Sequence, residues 1–193
     1  MTLNMPVEDG ANELLSRSPL ALLVAMLLDQ QVPFEKAFGS PYQLALRLGH
    51  EPTVTELAAF DPEALAAVFS ERPALHRFPK AMAARVQDLA RLLLARYDGD
   101  AEQVWASART GAQLRDNLAE LPGYGPYKAQ ITMALLGKQF GIQPEGWREV
   151  AGPFGHEGSY VSVADITDEE SLAKVRAYKT QATGAGKAAA ARK

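Results

Sequence analysis

The segment PGYGP at positions 122–126 interrupts a helical pattern in the second half of this chain. Before it, Leu114, Leu118 and Leu121 share one helical face, and after it helical spacing resumes from Tyr127. Proline and spaced glycines are typical of a helix break, because neither supports regular helical hydrogen bonding. We therefore predict two helices that are joined by a tight hairpin.

The residues of this hairpin allow two interpretations. It brings exposed amides and the N-terminus of the second helix to one point, an arrangement that suits a phosphate oxygen. Gly123 and Gly125 can take positive φ and admit the close approach of another backbone, and Lys128 adds a full charge. The alternative is a tight helix–helix turn that binds nothing, which is the commoner meaning of an isolated Gly-x-Gly. The apolar residue and proline before the glycines make the phosphate interpretation more specific.

Helix signals dominate the rest of the chain. Ser18 followed by Pro19 is typical of an N-cap and a first helical position, and residues 20–28 are apolar nearly all round, as in a buried helix. Capping spacing recurs at three further pairs, Thr53 with Glu56, Thr110 with Gln113, and Thr167 with Glu170. Only residues 160–163 suggest a short strand. The pattern therefore predicts an all-α fold.

Composition bounds the possible functions. A chain of 193 residues suits one domain or two closely packed lobes, and the absence of cysteine excludes disulfides, thiolate nucleophiles and cysteine-ligated metal sites. With 20 Lys and Arg against 23 Asp and Glu, the formal charge is −3, so any nucleic-acid binding must depend on a local surface. No signal-peptide pattern is present, and the apolar stretch Leu20 to Leu28 is too short to cross a bilayer. We expect a cytoplasmic protein without a membrane partner.

Three segments together resemble a known superfamily. LPGYGPYKA at 121–129 resembles the signature LPGVGxxTA of the helix-hairpin-helix base-excision DNA glycosylases. Residues 18–37 resemble the early helix of that superfamily, which ends in a glutamine-containing stretch. Residues 76–97 resemble its middle helix, which begins with an aromatic residue and a lysine. The resemblance covers roughly residues 18–140, with the hairpin motif at 114–136.

The resemblance implies two α-helical lobes with a cleft between them and the helix-hairpin-helix at its edge. One domain of this type is expected over residues 1–180, followed by a basic low-complexity tail at 181–193. Many relatives carry a cluster of four cysteines that binds iron and sulfur, and this chain has none. It therefore resembles the small, cluster-free, bacterial-type members, and no cofactor or metal is expected.

The resemblance also implies a partner, double-stranded DNA with a damaged or mispaired base, bound by a monomer associated with the nucleoid. Gln30 or Gln31 matches the glutamine that enters the base stack and fills the gap left by the extruded nucleotide. A solvated helix C-terminus is the alternative for these two residues. Trp147 is a candidate wall of the base pocket. The residues expected to grip one DNA phosphate are Leu121, Gly123, Tyr124, Gly125 and Lys128.

The catalytic residues follow the family pattern less closely. Members that also cut the strand carry a lysine two residues after the second hairpin glycine, where this chain has Tyr127. Lys128 lies one position later, which turns it by about 100° on a helix, so an amine nucleophile is disfavoured, although a shift of one residue keeps it a candidate. The family aspartate follows about eighteen residues beyond, where this chain has Glu145. Glu145 is the leading candidate to stabilise a cationic sugar, with Asp29 and Asp165 ranked lower.

These observations lead to one expected function and one alternative. The expected function is base-excision repair by a monofunctional DNA N-glycosylase, which flips a base and hydrolyses its N-glycosidic bond without cleaving the strand. The alternative is a catalytically inactive glycosylase-like protein that binds damaged DNA. The absence of the family aspartate favours the alternative, whereas the hairpin and the glutamine stretch fit both.

Overall fold

The computed structural model describes the backbone of residues 3–190 and the side chains of residues 3–182. Helix makes up 67% of the structure and no strand occurs among the described residues, so the predicted all-α class is confirmed. The α-helices are α1 (Asp9–Arg17), α2 (Pro19–Leu28), α3 (Phe34–Leu48), α4 (Val54–Ala59), α5 (Pro62–Ser70), α6 (Pro79–Tyr97), α7 (Gln103–Ala106), α8 (Gly111–Ala119), α9 (Pro126–Gln139), α10 (Trp147–Ala151) and α11 (Glu169–Ala190). Two 3₁₀ turns, η1 (Gly152–Gly155) and η2 (Val163–Asp165), connect the last α-helices.

Most of the predicted helix starts are confirmed by their hydrogen bonds. The Ser18 side chain accepts from the Ala21 amide (3.3 Å) at the start of α2. Thr53 and Glu56 form a reciprocal capping box at the start of α4. These caps satisfy amides that have no partner inside the helix, which is why short side chains at these positions fix where a helix begins.

The prediction for the last helix was wrong in its capping residue. Thr167 and Glu170 have capping-box spacing, but α11 begins at Glu169, and the Ser171 amide donates to the Asp168 carboxylate (2.7 Å). The Ser171 hydroxyl in turn accepts from the Asp168 amide (3.0 Å), so Asp168 and Ser171 form the reciprocal cap. The backbone of α11 continues into the basic tail as far as Ala190, and the tail residues 191–193 lie outside the described part of the chain.

The segment predicted as a short strand, residues 160–163, is irregular instead. The Asp165 carboxylate accepts hydrogen bonds from the amides of Val161 (2.8 Å) and Ser162 (3.1 Å), and it is buried against the Lys138 ammonium (2.6 Å). In a strand, such amides donate hydrogen bonds to the carbonyls of a neighbouring strand. Because the Asp165 side chain already accepts from these amides, residues 160–163 do not pair as a strand, and η2 follows instead.

The core is organised around α2, in which nine of ten residues are buried. Helices α1 to α6 pack on one another, and α7 to α11 with the two 3₁₀ turns pack on one another. Within the described residues no single helix is long and apolar enough to span a membrane; α1 and α2 reach that length only together, across a bend of 116°.

Candidate functional site

The hairpin between α8 and α9 has the predicted form, with one difference in its glycines. Its turn is closed by hydrogen bonds from the Leu121 amide to the Leu118 carbonyl (3.2 Å) and from the Tyr124 amide to the Leu121 carbonyl (2.9 Å). Gly123 has φ of +80°, a conformation that favours glycine. Gly125 has φ of −91° and is the N-cap of α9, so the prediction of positive φ held only for Gly123.

The apolar side chains of the hairpin point into the protein. Leu121 and Tyr124 are 2% and 5% exposed, and the Tyr124 hydroxyl donates to the Leu23 carbonyl in α2 (2.7 Å). Burial raises the pKa of Tyr124 well above its usual value. Tyr124 and Leu121 therefore anchor the hairpin on α2, and neither side chain is available to a ligand.

The backbone of the hairpin faces outward. The amides of Tyr127 and Lys128 lie in the first turn of α9 and donate to no acceptor among the described residues, and the Gly125 amide also has none there. A Cβ placed on Gly125 would meet nothing within 4 Å, so the space beside this residue is open. The partial positive charge of a helix N-terminus adds to them. This surface can accept an anion.

Lys128 does not supply the predicted charge to that surface. Its ammonium turns to the end of α2 and donates to the carbonyls of Met26 (2.5 Å), Leu27 (3.1 Å) and Asp29 (3.3 Å). An ammonium has three donors, and here all three are used. Burial lowers the pKa of Lys128 from 10.5 to about 8, with the nearby Asp29 acting in the opposite direction. Lys128 therefore ties the start of α9 to the end of α2.

The two glutamines after α2 have different environments. The Gln30 amide nitrogen donates to the Leu27 carbonyl (2.8 Å), and its amide oxygen accepts from the Arg85 guanidinium in α6 (3.1 Å). Gln31 is exposed and has φ of +55°, an uncommon conformation for a residue with a side chain. Gln30 is held in place, whereas Gln31 projects from a strained turn.

Arg85 is a site residue that the sequence analysis missed. Besides its bond to Gln30, its Cδ lies 4.0 Å from where a Cβ on Gly123 would be, so the exposed side chain lies between the hairpin and the end of α2. Met82 and Val86, its neighbours on the buried side of α6, mark the core face of that helix. That pattern indicates that Arg85 is on the surface, but nothing in it says which loop it faces.

A pocket of about 260 Å³ lies between the end of α2, the start of α9 and the segment before η2. We call it the α2–α9 pocket. Its polar lining is Asp29, Gln30, Gln31, Tyr127, Lys128, Ser162 and Lys179. Its apolar lining is Met26, Val32, Ile131, Val161 and Val163. Four parts of the chain, at the end of α2, in α9, around η2 and in α11, thus meet beside the hairpin.

Asp29 is the only carboxylate that lines the α2–α9 pocket among the described residues. Burial raises its pKa, and the charges of Lys179 and Lys128 oppose that effect. Tyr127 is 67% exposed at the rim, and its ring meets that of Phe154 edge-on at 5.0 Å. A carboxylate beside two cations and an exposed phenol is the chemically richest group of side chains near the hairpin.

Glu145 lies elsewhere. Its carbonyl accepts from the Gly111 amide (2.7 Å) and its amide donates to the Arg109 carbonyl (3.3 Å), so it is paired with the segment that precedes α8. That segment is at the opposite end of α8 from the hairpin, a separation of about 14 Å along the 9 residues of α8. The structure does not bring the predicted carboxylate to Tyr127 or Lys128.

Trp147 is also not in the pocket. It is 6% exposed, and its indole fills a space that Gly137 leaves open, since a Cβ at Gly137 would lie 2.4 Å from the ring. The Arg148 guanidinium covers the ring at 4.6 Å. Trp147 packs α10 onto α9, and the prediction that it lines a base pocket is not supported by its position.

The described residues include no group of His, Asp or Glu side chains that could hold a metal ion. His76 is 1% exposed; its Nε2 donates to the Gln30 carbonyl (2.9 Å), and its Nδ1 accepts from the Phe78 amide (3.0 Å). It therefore supports the turn that carries the glutamines.

Comparison with known proteins adds no assignment. No protein-family model matches the chain, and no curated protein matches it.

Proposed function

We propose that this protein is a monofunctional DNA N-glycosylase of the helix-hairpin-helix type. The observation that carries the proposal is the juxtaposition of outward-facing hairpin amides with a pocket that contains a single carboxylate and the two glutamines. Binding of one backbone phosphate at the hairpin would place a neighbouring nucleotide near the pocket. The residues involved lie on two helix ends that Lys128 holds together.

The phosphate would be held by the amides of Gly125, Tyr127 and Lys128 at the start of α9. Arg85, which lies beside Gly123 and Gln30, would supply the full positive charge that the Lys128 side chain does not. This arrangement accounts for DNA binding by a chain with a net charge of −3, because the positive charge is local.

Gln31 is the better candidate for the residue that enters the base stack. Extrusion of a nucleotide costs a few kcal/mol, and a side chain that fills the gap offsets part of this cost. Gln30 is bonded at both ends of its amide, whereas Gln31 is exposed on a strained turn beside the pocket. In this proposal Gln30 and Arg85 brace the turn that presents Gln31.

For the chemical step, Asp29 takes the role that the sequence analysis gave to Glu145. A water oxygen attacks C1′ of the sugar, the C1′–N bond breaks, and the base leaves with the bonding electrons. The proton that the water loses passes to the departing base, directly or by way of the Asp29 carboxylate. The Asp29 carboxylate stabilises the positive charge on the sugar or orients the water. Burial raises the pKa of Asp29, which makes its carboxylate a stronger proton acceptor than an exposed one.

The position of Lys128 supports the absence of strand cleavage. An amine nucleophile needs a free lone pair on nitrogen, and the Lys128 ammonium donates all three hydrogens to carbonyls. Forming a covalent bond to the sugar would require those three bonds to break. Water is therefore the nucleophile in the proposed reaction.

The second candidate function is the binding of damaged DNA without excision. It is favoured by one observation, namely that the only carboxylate in the α2–α9 pocket among the described residues comes from α2 and not from the family position. Both candidates use the same hairpin and the same glutamine turn, so they differ in turnover and not in binding.

The experiment that separates them uses duplex oligonucleotides with single lesions: uracil, thymine opposite guanine, oxidised guanine and alkylated adenine. We expect strand breaks at one or more lesions only after hot alkali, which marks an abasic product. Breaks without alkali, or a covalent complex trapped by borohydride, would overturn the monofunctional mechanism. Binding that prefers a lesion with no excision of any base would favour the second candidate.

Three variants test the residues. Asp29→Asn is expected to lower the single-turnover excision rate by about 100-fold or more, within the range for loss of a transition-state electrostatic contact. Glu145→Gln is the matched control and is expected to leave the rate unchanged. Equal rates for wild type and Asp29→Asn would remove Asp29 from the mechanism. Gly125→Ala adds a methyl group where space is open, so it should weaken DNA binding without lowering the melting temperature.

A further inference from the structure

The charged groups that line the α2–α9 pocket are unequal in number. Two cations, Lys128 on α9 and Lys179 on α11, face one anion, Asp29 on α2. The remaining lining residues are neutral, either amides and hydroxyls or apolar side chains. Arg85 adds a third positive charge close enough to act on Lys128. Among the described residues that line this pocket, cationic side chains therefore outnumber carboxylates.

The Lys128 charge is fixed in position. Its three bonds to the carbonyls of Met26, Leu27 and Asp29 leave no rotamer in which the ammonium leaves the pocket and keeps its partners. Lys128 remains mainly protonated at pH 7, since its pKa of about 8 lies above that pH. A ligand in the pocket must accommodate this charge.

Aromatic surface that could hold a cation is scarce in the same pocket. Among the described residues, Tyr127 is the only aromatic residue that lines the pocket. Tyr127 is 67% exposed at the rim, and its ring plane is at 87° to that of Phe154. Favourable binding of a cationic ring needs aromatic faces or several carboxylates around it. Neither arrangement is present.

From these charges we propose that the α2–α9 pocket selects neutral bases and rejects bases that carry a positive charge through alkylation. The inference rests on the proposed function, since it assumes that the extruded base enters this pocket. A neutral base can be accepted by the polar lining, whereas a cationic purine would meet like charge on two sides, which is costly in a partly desolvated site.

The test compares two bases of the same size. One duplex carries 7-methylguanine, which is cationic, and the other carries 7-deaza-7-methylguanine, its neutral isostere. Both have a 2′-fluoroarabino sugar, which resists hydrolysis. Affinity for each is measured by fluorescence anisotropy with the full chain. We expect the neutral isostere to bind about tenfold or more tightly than the cationic base.

Charge reversal on α11 supplies the second arm. Lys179→Glu should remove or invert the preference, and Lys174→Glu should leave it unchanged, because Lys174 lies on the same helix but lines a different cavity, with its ammonium on Glu170 and the Tyr160 ring. Equal affinity of wild type for both isosteres, or tighter binding of the cationic one, would overturn the inference. So would a Lys179→Glu variant that weakens both duplexes equally, since that charge would then act on the DNA backbone alone.

An excision assay on the same bases separates this inference from the function on which it rests. Excision of uracil or thymine with no excision of ordinary 7-methylguanine or 3-methyladenine supports both proposals. Rapid excision of the alkylated bases supports the glycosylase and overturns the selectivity. If no base is excised but the isostere preference is present, the catalytic proposal fails and the selectivity of the pocket stands.

Discussion

The buried ammonium of Lys128 makes stability depend on pH in a way that can be measured. Its pKa is about 8 in the folded protein, and 10.5 is the ordinary value that an unfolded chain would show. Because the folded value is depressed, the unfolded state binds more protons between these limits, and stability rises with pH across that window. A pKa unit corresponds to about 1.4 kcal/mol, so between pH 7 and pH 10 the free energy of unfolding should gain about 2.5 kcal/mol from this group.

The control variant is Lys128→Arg, which keeps donors for the carbonyls of α2 but does not lose its charge below pH 12. We expect the wild-type free energy of unfolding, measured with urea at several pH values, to rise relative to that of the variant by about 2.5 kcal/mol from pH 7 to pH 10. Contributions from other lysines and tyrosines cancel in this difference. A difference that stays constant with pH would refute the conclusion that Lys128 is a desolvated ammonium.

Three further predictions concern the packing around the site. Burial lowers the pKa of His76, so stability is complete above about pH 6.5 and is lost as pH falls below it; thermal unfolding of wild type should therefore be more acid-sensitive than that of His76→Gln. Gly137→Ala should destabilise the fold by about 1–3 kcal/mol, because its methyl group would meet the buried indole ring, whereas Gly39→Ala has open space and should not. Tyr124→Phe should lower the free energy of unfolding by about 1 kcal/mol, because it removes a buried hydrogen bond. The control Tyr127→Phe, at an exposed position, should lower it by less than about 0.5 kcal/mol, with both values measured by urea titration.

Helix starts and the hairpin were predictable because the signals that create them are local. Ser18 and Thr53 cap helices through amides only three residues ahead, and glycine at 123 permits its turn through its own φ. Interactions of this range are visible in a single sequence. The same reasoning failed at residues 160–163, where Asp165 binds amides that a strand would need.

The roles of the site residues were harder to predict because they depend on distant partners. Lys128 was expected to face a phosphate, but its ammonium donates to carbonyls of α2, including that of Met26, which lies 102 positions earlier in the chain. Tyr124 and Trp147 were expected to contact DNA, but both bury their rings in spaces formed by other helices. A large amphipathic side chain gains more from such a space than from solvent, and the sequence does not show where the space will be.

The sequence by itself determined the helical class, the helix-hairpin-helix and most of the capping residues, since these follow from hydrogen bonds within a few residues. Only the tertiary structure decided which carboxylate lies near the hairpin. Spacing from Tyr127 indicated Glu145, but that residue pairs with the start of α8, and Asp29 reaches the pocket from a helix almost 100 positions earlier. Separation along the chain does not determine separation in space once helices pack, and the position of a catalytic group depends on that packing.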